Sequence, residues 1–489
     1  MNQSLNIDLN LNQNEEIMID SYSFHCYIAS IIKIPHKEEY VYQVRYDPLT
    51  YNHLKDFSHY EKEVHFFLKE FVLHQNDFCT FDQLYTSLSK ATYKELQIPK
   101  QFLIPVMFRK LNLEKIGPLL IEDQIDEIYL DSSKKNLYID HSRHGRCATS
   151  IQLSKEEIES FVHRIALEND FSLNQNNPTM KADFVSKLFH SRITVDIPPL
   201  IIDDIHIDIR KFHSKILRIS DLIKNGSLTL SQAIFLVYLI QNQVSISIIG
   251  PPNSGKTTLQ NALIEYIPPH FRLLSVEDVL ETAEIRRGNT VRFRLGYDPH
   301  ESMIFSKSLE VQKILHRSPD FINLGELSTK NHFTAFLNVL SVGIPSIQTI
   351  HGRTPEFLFV RLRDIYNIPL ELLKASFPHI FIELNVSWIK NKKKRTIMRI
   401  AELTNEGEIT NLSNKAIESF VAYPNTESGI FTLAYLIKNN QTNLNDFIVN
   451  IQKTALLLSG NSFHKEIKQE AVDFNHRNKN ENKIVKNKN

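Results

Sequence analysis

The stretch from Val244 to Ile267 constrains the fold more than any other. An apolar, β-branched run, Val244-Ser245-Ile246-Ser247-Ile248-Ile249, passes through Gly250-Pro251-Pro252-Asn253-Ser254-Gly255-Lys256-Thr257-Thr258 into an amphipathic segment carrying Leu259, Ala262, Leu263 and Ile267. The pattern predicts strand, loop and helix, with G-x-x-x-x-G-K-[ST] at the junction. A loop that wraps a polyphosphate needs glycines where the backbone must approach the ligand, amide hydrogens aimed inward, and the positive end of a helix behind them. Glycine is scarce, 13 in 489 residues, against a usual share of about 7%. Two glycines spaced five apart before Lys-Thr therefore read as a nucleotide site rather than a chance turn. Gly250, Pro251, Pro252, Asn253, Ser254, Gly255, Lys256, Thr257 and Thr258 are the expected binding residues, with Lys256 reaching the β and γ phosphates of ATP and the Thr257 hydroxyl coordinating Mg²⁺.

The rest of the chain must fold around that unit. Its length suits about three domains. Acidic and basic side chains balance at 56 each, so no global field favours nucleic acid or an anionic surface. Cys26, Cys79 and Cys147 are far apart with no CxxC pair, which argues against a disulfide framework or cysteine zinc site and fits a reducing compartment. The start, Met1 to Asp20, is polar and acidic where a signal peptide needs a basic start and an apolar core. Apolar runs such as Ile234 to Ile240 fall well short of the roughly 18 residues of a membrane span. A cytoplasmic protein that reaches a membrane through a partner is expected.

In chain order, residues 1–20 read as a mobile arm and residues 21–115 as a mainly helical module, with a strand at Tyr40 to Val44 and helices at Leu54 to Leu73, Phe81 to Leu88 and Phe102 to Lys115. Residues 116–215 read as an α+β domain. Its helix starts at a capping box, Ser154 with Glu157 three residues on, and Ile158, Phe161, Val162, Ile165 and Ala166 line one face. Residues 216–410 alternate strands with helices around the glycine-rich loop, which predicts a mostly parallel sheet with its ligand at the strand C-terminal ends. A hairpin is expected from Phe377 to Leu403, its tip at Asn391-Lys392-Lys393-Lys394. Residues 411–463 read as helical and 464–489 as a disordered Lys/Asn-rich tail.

Polar residues fall just past three of the expected strands. Glu277-Asp278-Val279-Leu280-Glu281 follows the first, Gly325-Glu326 ends the second and His351-Gly352-Arg353 ends the third. Carboxylates at that edge order the magnesium shell and accept a proton from the attacking water, and a histidine there contacts the γ-phosphate.

Set in order, these residues resemble the hexameric ATPases of type II and type IV secretion systems, which also drive type IV pili and the archaeal flagellum. Gly250 to Thr258 is similar to the family's Walker A box, Ser275 to Glu281 to its aspartate box, Asp320 to Leu327 to Walker B and Thr349 to Gly352 to its histidine box. Asn367 to Leu373 looks like the archaeal branch, and Arg395 to Glu402, Ile116 to Ile151 and Ile193 to Phe212 continue the likeness. The resemblance implies an α/β fold, a RecA-like P-loop NTPase domain with a preceding PAS-like α+β domain and the helical N-terminal module. It also implies Lys256 on phosphate, Glu281 as general base, Glu326 as the Walker B acid holding magnesium through water, and His351 coupling the γ-phosphate to domain movement. Arg192 and Arg210 match two arginines that reach the nucleotide when the domains close. The chain departs from the family at Leu315-His316-Arg317-Ser318-Pro319-Asp320, where the usual pattern is Leu-Arg-x-Arg-Pro-Asp, and at Ser328, where an arginine is usual.

The expected function is a homohexameric motor that hydrolyses ATP and acts through a polytopic membrane platform protein, for secretion or for assembly of a pilus-like filament. A divergent ATP-binding subunit with slow turnover, acting structurally, is the alternative that the altered arginines favour. A conjugative DNA-transfer ATPase is a third reading, opposed by zero net charge and by the lack of basic stretches interleaved with aromatics.

Overall fold

Strand signals sort into two sheets of different chemistry. The structure is a computed structural model that describes residues 17–34, 39–52, 57–75, 79–94, 99, 102–212, 217–278, 289–295, 307–369, 371–372, 378–389, 392–404, 406–422, 430, 432 and 436. The chain divides into two units, Met1–Ser214 with Ile389–Lys393, and Lys215–Trp388 with Lys394–Asn489.

The first sheet has nine strands: β1 (Ile17–Phe24), β2 (Tyr27–Lys33), β3 (Tyr40–Tyr46), β4 (Ile125–Leu130), β5 (Tyr138–His141), β6 (Gly145–Thr149), β7 (Thr179–Val185), β8 (His190–Asp196) and β9 (His206–Phe212). Their order is β1-β2-β3-β6-β5-β4-β9-β8-β7. Every pairing is antiparallel except β3 with β6, which run parallel with Tyr40 opposite Cys147. Most of these strands alternate buried and half-exposed residues, as in β8 and β9, the signature of a sheet with one covered face. The capping box of the helix Lys155–Glu168 forms as expected: Glu157 N–H donates to Ser154 Oγ and Ser154 N–H to the Glu157 carboxylate.

This sheet corrects the reading of the chain start. Strand β1 begins inside the expected mobile arm, and β1 and β2 lie in what read as helix-rich sequence. Tyr27, Ala29 and Ile31 of β2 are fully buried, and that burial decides the conformation against the polar context upstream. The expected helices do form, at Phe57–Gln75, Phe81–Lys94 and Leu103–Lys110. Their Val64, Leu84, Leu88 and Val106 share one core with Ile128, Ile139 and Ile209, so a single core runs across the expected boundary at residue 115.

The second sheet comprises β10 (Ser245–Gly250), β11 (Leu273–Glu277), β12 (Thr290–Arg294), β13 (Phe321–Leu327), β14 (Ser346–His351), β15 (His379–Ile389), β16 (Lys392–Leu403) and β17 (Ile409–Leu412), in the order β12-β11-β13-β14-β10-β15-β16-β17. The six strands from β12 to β15 are parallel, and β16 and β17 are antiparallel to each other. Central β10 is buried along its whole length, as a strand covered on both faces must be, with Ser245 and Ser247 buried among its isoleucines. The preceding helix, Leu230–Gln241, starts at a Thr229–Gln232 capping box and is buried from Gln232 to Ile240. Lys392 to Lys394 continue β16 rather than forming a free tip, and Asn391 lies outside the described residues. Past residue 410 the described chain completes β17 and the helix Asn414–Ala422, whose Phe420 ring packs 5.6 Å from Phe235. Residues 464–489 lie outside the described residues.

Candidate nucleotide site

Strand β10 ends at Gly250 and the helix Lys256–Ile264 starts six residues later, so the loop between them turns sharply. Asn253 (φ 58) and Gly255 (φ 88) take left-handed conformations that fold the loop back on itself. A Cβ at Gly250 would lie 2.6 Å from Ser254 Oγ and 3.1 Å from the Leu384 carbonyl oxygen, so any other residue here would have to displace the Ser254 hydroxyl. Arg395 Nε donates to the Asn253 carbonyl at 2.9 Å and ties the loop to β16. Ser254 Oγ is buried without a hydrogen-bond partner among the described residues. A helix N-terminus, a cradle that side chains would fill and an orphaned buried hydroxyl together fit a bound polyphosphate.

Lys256 is 6% exposed, and its ammonium lies over this loop. Nζ donates to the Pro251 carbonyl at 2.9 Å and to His351 Nδ1 at 3.2 Å. The other ring nitrogen, Nε2, lies 3.2 Å from Glu326 Oε1. Both contacts are hydrogen bonds when the neutral imidazole carries its proton on Nε2. Lys256, His351 and Glu326 thus form a continuous polar line from the loop through the end of β14 to the end of β13.

A bulge aims Glu326. In the β13–β14 ladder Asn323 faces Ile347 and Glu326 faces Thr349, so β13 carries an extra residue between them. Gly325 within it has φ +60, and a Cβ there would lie 3.0 Å from Glu277 Cγ. Behind the bulge runs a buried chain: Gln260 Nε2 donates to Asn323 Oδ1 at 2.8 Å, Asn323 Nδ2 to Ser275 Oγ at 2.8 Å, and Ser275 Oγ to Glu277 Oε1 at 2.6 Å. It fixes the loop helix, β13 and β11 in one register. Gln260 and Asn323 carry no motif signal, and their helical and strand positions gave no reason to single them out.

Two cations missed in the sequence stand beside this line. Lys307, opening the helix Lys307–Leu315, places Nζ 2.9 Å from Asp278 Oδ2 and 2.9 Å from the Glu326 carbonyl oxygen. Burial pushes its ammonium pKa down, opposed by Asp278. Burial, and next the charge of Lys307, likewise lowers the pKa of His332, whose Nε2 lies 3.6 Å from Asp278 Oδ1. Arg361, in a π-helical turn over Arg361–Ile365, donates from Nη1 to the His351 carbonyl at 3.1 Å. Its guanidinium carbon stands 5.1 Å from the Phe333 ring centre and 5.9 Å from that of Tyr366, whose hydroxyl donates to the Ser328 carbonyl at 3.1 Å. π-turns inserted into helices recur at functional sites.

The other expected residues are placed as follows. Thr257 and Thr258 open the loop helix and are half-buried, while Pro251 and Pro252 are exposed. Asp278 is described, but Glu281 lies outside the described residues. Arg317, at the altered motif, lies with its guanidinium 4.9 Å over the Phe293 ring of β12. In the first unit Arg192 and Arg210 are direct cross-strand partners on β8 and β9. There Arg192 donates from Nε at 3.1 Å and Nη2 at 3.0 Å to Asp183 Oδ1, and Arg210 is exposed.

Comparison with known proteins places this geometry. The family model described as "Type II/IV secretion system protein" matches residues 110–384, more than half of the chain. "Uncharacterized protein MJ1287" of Methanocaldococcus jannaschii is 32% identical over 163 residues, covering 32% of this chain and 57% of that protein. "Protein VirB11" of Rhizobium radiobacter is 37% identical over 123 residues, covering 25% of this chain and 35% of that protein. The chain thus spans less than two thirds of the length of these relatives. Among solved structures, the DotB ATPase of Legionella pneumophila aligns at 15% identity over 73% of this chain and 89% of that one, with a TM-score of 0.45. The family match encloses the glycine-rich loop, the Glu326 bulge and the histidine at the end of β14, and the chain belongs to the type II/IV secretion system ATPase family.

Proposed function

We propose that the protein hydrolyses ATP and uses the cycle to drive a secretion or pilus-type machine. The observation that carries this reading is the Lys256–His351–Glu326 line across a glycine-rich loop and two strand ends. The loop amides and Lys256 would hold the β and γ phosphates, and Thr257 with water-bridged Glu326 would hold Mg²⁺. Bound there, Mg²⁺ would supply charge neutralisation to the polyphosphate. Water attacks the γ-phosphorus, ADP leaves, and a carboxylate takes the proton, a role we give to Glu281 with Glu326 ordering the site. His351, bonded to both Lys256 and Glu326, changes its contacts when the γ-phosphate departs, and Arg361 on its carbonyl carries that change into the π-turn.

The finer reading follows the family. A homohexamer in which Arg192 and Arg210 complete the site on domain closure would convert hydrolysis into rigid-body motion. No helix among the described residues is long and apolar enough to cross a membrane, and we assign the membrane contact to a polytopic platform protein met at the cytoplasmic face. A second reading, an ATP-binding subunit with slow turnover, is supported by the Arg192–Asp183 pair, which engages one arginine elsewhere.

Purified protein with Mg²⁺ and ATP tests the proposal against Glu326→Gln. The expected result is phosphate release that falls roughly 100-fold in the variant while nucleotide binding persists. Equal rates at background level would discard the motor and leave the binding subunit. Salt-dependent binding to DNA would instead favour nucleic-acid transfer.

A further inference from the structure

Strands β11 and β13 pair as Leu273 with Phe321, Leu274 with Ile322 and Ser275 with Asn323, and the pairing stops there. Beyond that point β13 bulges at Gly325 and continues in register with β14 at Glu326 and Leu327, so the ends of β11 and β13 lie past the ladder they share. Those ends carry the acids of the site. Lys307 spans the gap: one ammonium bonds the Asp278 side chain beyond β11 and the Glu326 carbonyl near the end of β13, each at 2.9 Å. Its side chain is 0% exposed, whereas that of Asp278 is 40% exposed.

Burying an ammonium is costly unless it is paired and hydrogen-bonded. An exposed lysine at the same helix start would serve packing equally well, so the buried placement calls for a specific reason. It lies in what the ammonium holds. Asp278 is the first residue beyond β11, and Glu326 faces His351. The position of Asp278 is thereby tied to that of Glu326.

We propose that Lys307 is a positioning residue for hydrolysis, clamping the ends of β11 and β13 so that Asp278 and Glu326 keep a fixed separation beside the glycine-rich loop. This rests on the ATPase reading above. Lys307 itself touches no nucleotide; it acts through Asp278 and the Glu326 backbone. Its loss therefore affects the chemical step more than nucleotide capture, which belongs to the loop around Lys256.

The test compares full-length protein with Lys307→Met, Asp278→Asn and the double variant, measuring kcat and KM for Mg²⁺-ATP together with the Kd of a fluorescent ATP analogue. The expected result is a kcat at least tenfold lower in each single variant, with KM and Kd within threefold of the starting protein. The double variant should be no slower than Lys307→Met, because groups that act as a unit are non-additive. Unchanged kcat in Lys307→Met, parallel loss of kcat and nucleotide binding, or multiplicative defects in the double variant would each overturn the proposal. Should Lys307→Met fail to fold, Asp278→Asn decides alone, since its partly exposed carboxylate is replaced at equal size: wild-type kcat overturns the clamp and a tenfold loss at constant Kd supports it. Starting protein without turnover overturns the ATPase reading and the clamp with it, whereas active starting protein beside an equally fast Lys307→Met overturns the clamp alone.

Discussion

Lys256 Nζ lies 3.2 Å from His351 Nδ1, although one residue opens a helix, the other ends β14, and the two are far apart in sequence. On the proposed reading, in which Lys256 holds phosphate, the histidine reads that lysine directly, and a phosphate that draws the ammonium toward itself must lengthen or break this contact. His351 then keeps Glu326 as its partner through Nε2.

His351→Ala should separate binding from turnover. Lys256 keeps the loop and its affinity for nucleotide, while hydrolysis falls roughly 100-fold, the scale of losing one preorganised polar group. Steady-state phosphate release alongside equilibrium ATP binding reports both. A variant that turns over normally would remove the histidine from the catalytic line.

Gly325→Ala should unsettle the bulge. Its φ of +60 costs an L-residue about 1–2 kcal/mol, and the new Cβ would press on Glu277 Cγ at 3.0 Å. Both a lower Tm and reduced turnover are expected, because the same movement re-aims Glu326. Thermal melting and rate measurements on one preparation check this, and an unaltered Tm would show that the bulge relaxes freely.

Arg361→Lys should not substitute for arginine. The guanidinium stacks on Phe333 and Tyr366 while donating to the His351 carbonyl, and an ammonium lacks the planar surface. A stability loss of about 1.5–3 kcal/mol is expected for either Arg361→Lys or Arg361→Met, by analogy with other charged hydrogen bonds. Urea melts compare the three proteins; full stability in the lysine variant would contradict the stacking account.

His379 gives the second unit an acid-sensitive core. Burial pushes its pKa from 6.5 down to about 3, with Nε2 2.9 Å from Ser247 Oγ. The folded state therefore excludes a proton that the unfolded chain accepts below 6.5. The stability is fully present above pH 6.5 and is lost as the pH falls toward 3, at up to about 1.4 kcal/mol per pH unit. In His379→Gln the urea midpoint should fall less steeply over that window. Identical slopes would assign the acid sensitivity to other groups.

Much of the site was legible because parallel sheets place chemistry where strands end. A mainly apolar run such as Ser245 to Ile249, or Phe321 to Leu324, locates the strand, and the polar residue past its end locates the edge; Glu326 and His351 are legible in that way. Lys307 and Arg361 were not, since each acts through a contact that depends on tertiary packing and no local spacing marks either one. Loss of positive charge at Ser328 was visible as a departure, whereas the buried Lys307 ammonium on the neighbouring Glu326 carbonyl was not. Strands β1 and β2 escaped for a related reason. Ile17, Met18 and Ile19 are all exposed, and alternation sets in only from Asp20 to Phe24, too short a stretch to mark β1 as a strand. The pairing that draws this meander into the larger sheet joins Tyr40 to Cys147, across helices that local periodicity reads as a module of their own.

That parallel join between β3 and β6 orders events during synthesis. Strands β1 to β3 are made before β6, which joins them to the rest of the sheet and follows a long helical stretch. Until β6 is made, Tyr27, Ala29 and Ile31 have no complete core and β3 presents an open row of backbone donors and acceptors, the template on which chains aggregate. A version trimmed to begin at residue 116 would carry the converse defect, an uncovered β6 edge. Expression from residue 116 onward should therefore yield less soluble product than the full chain, for a reason unrelated to nucleotide chemistry.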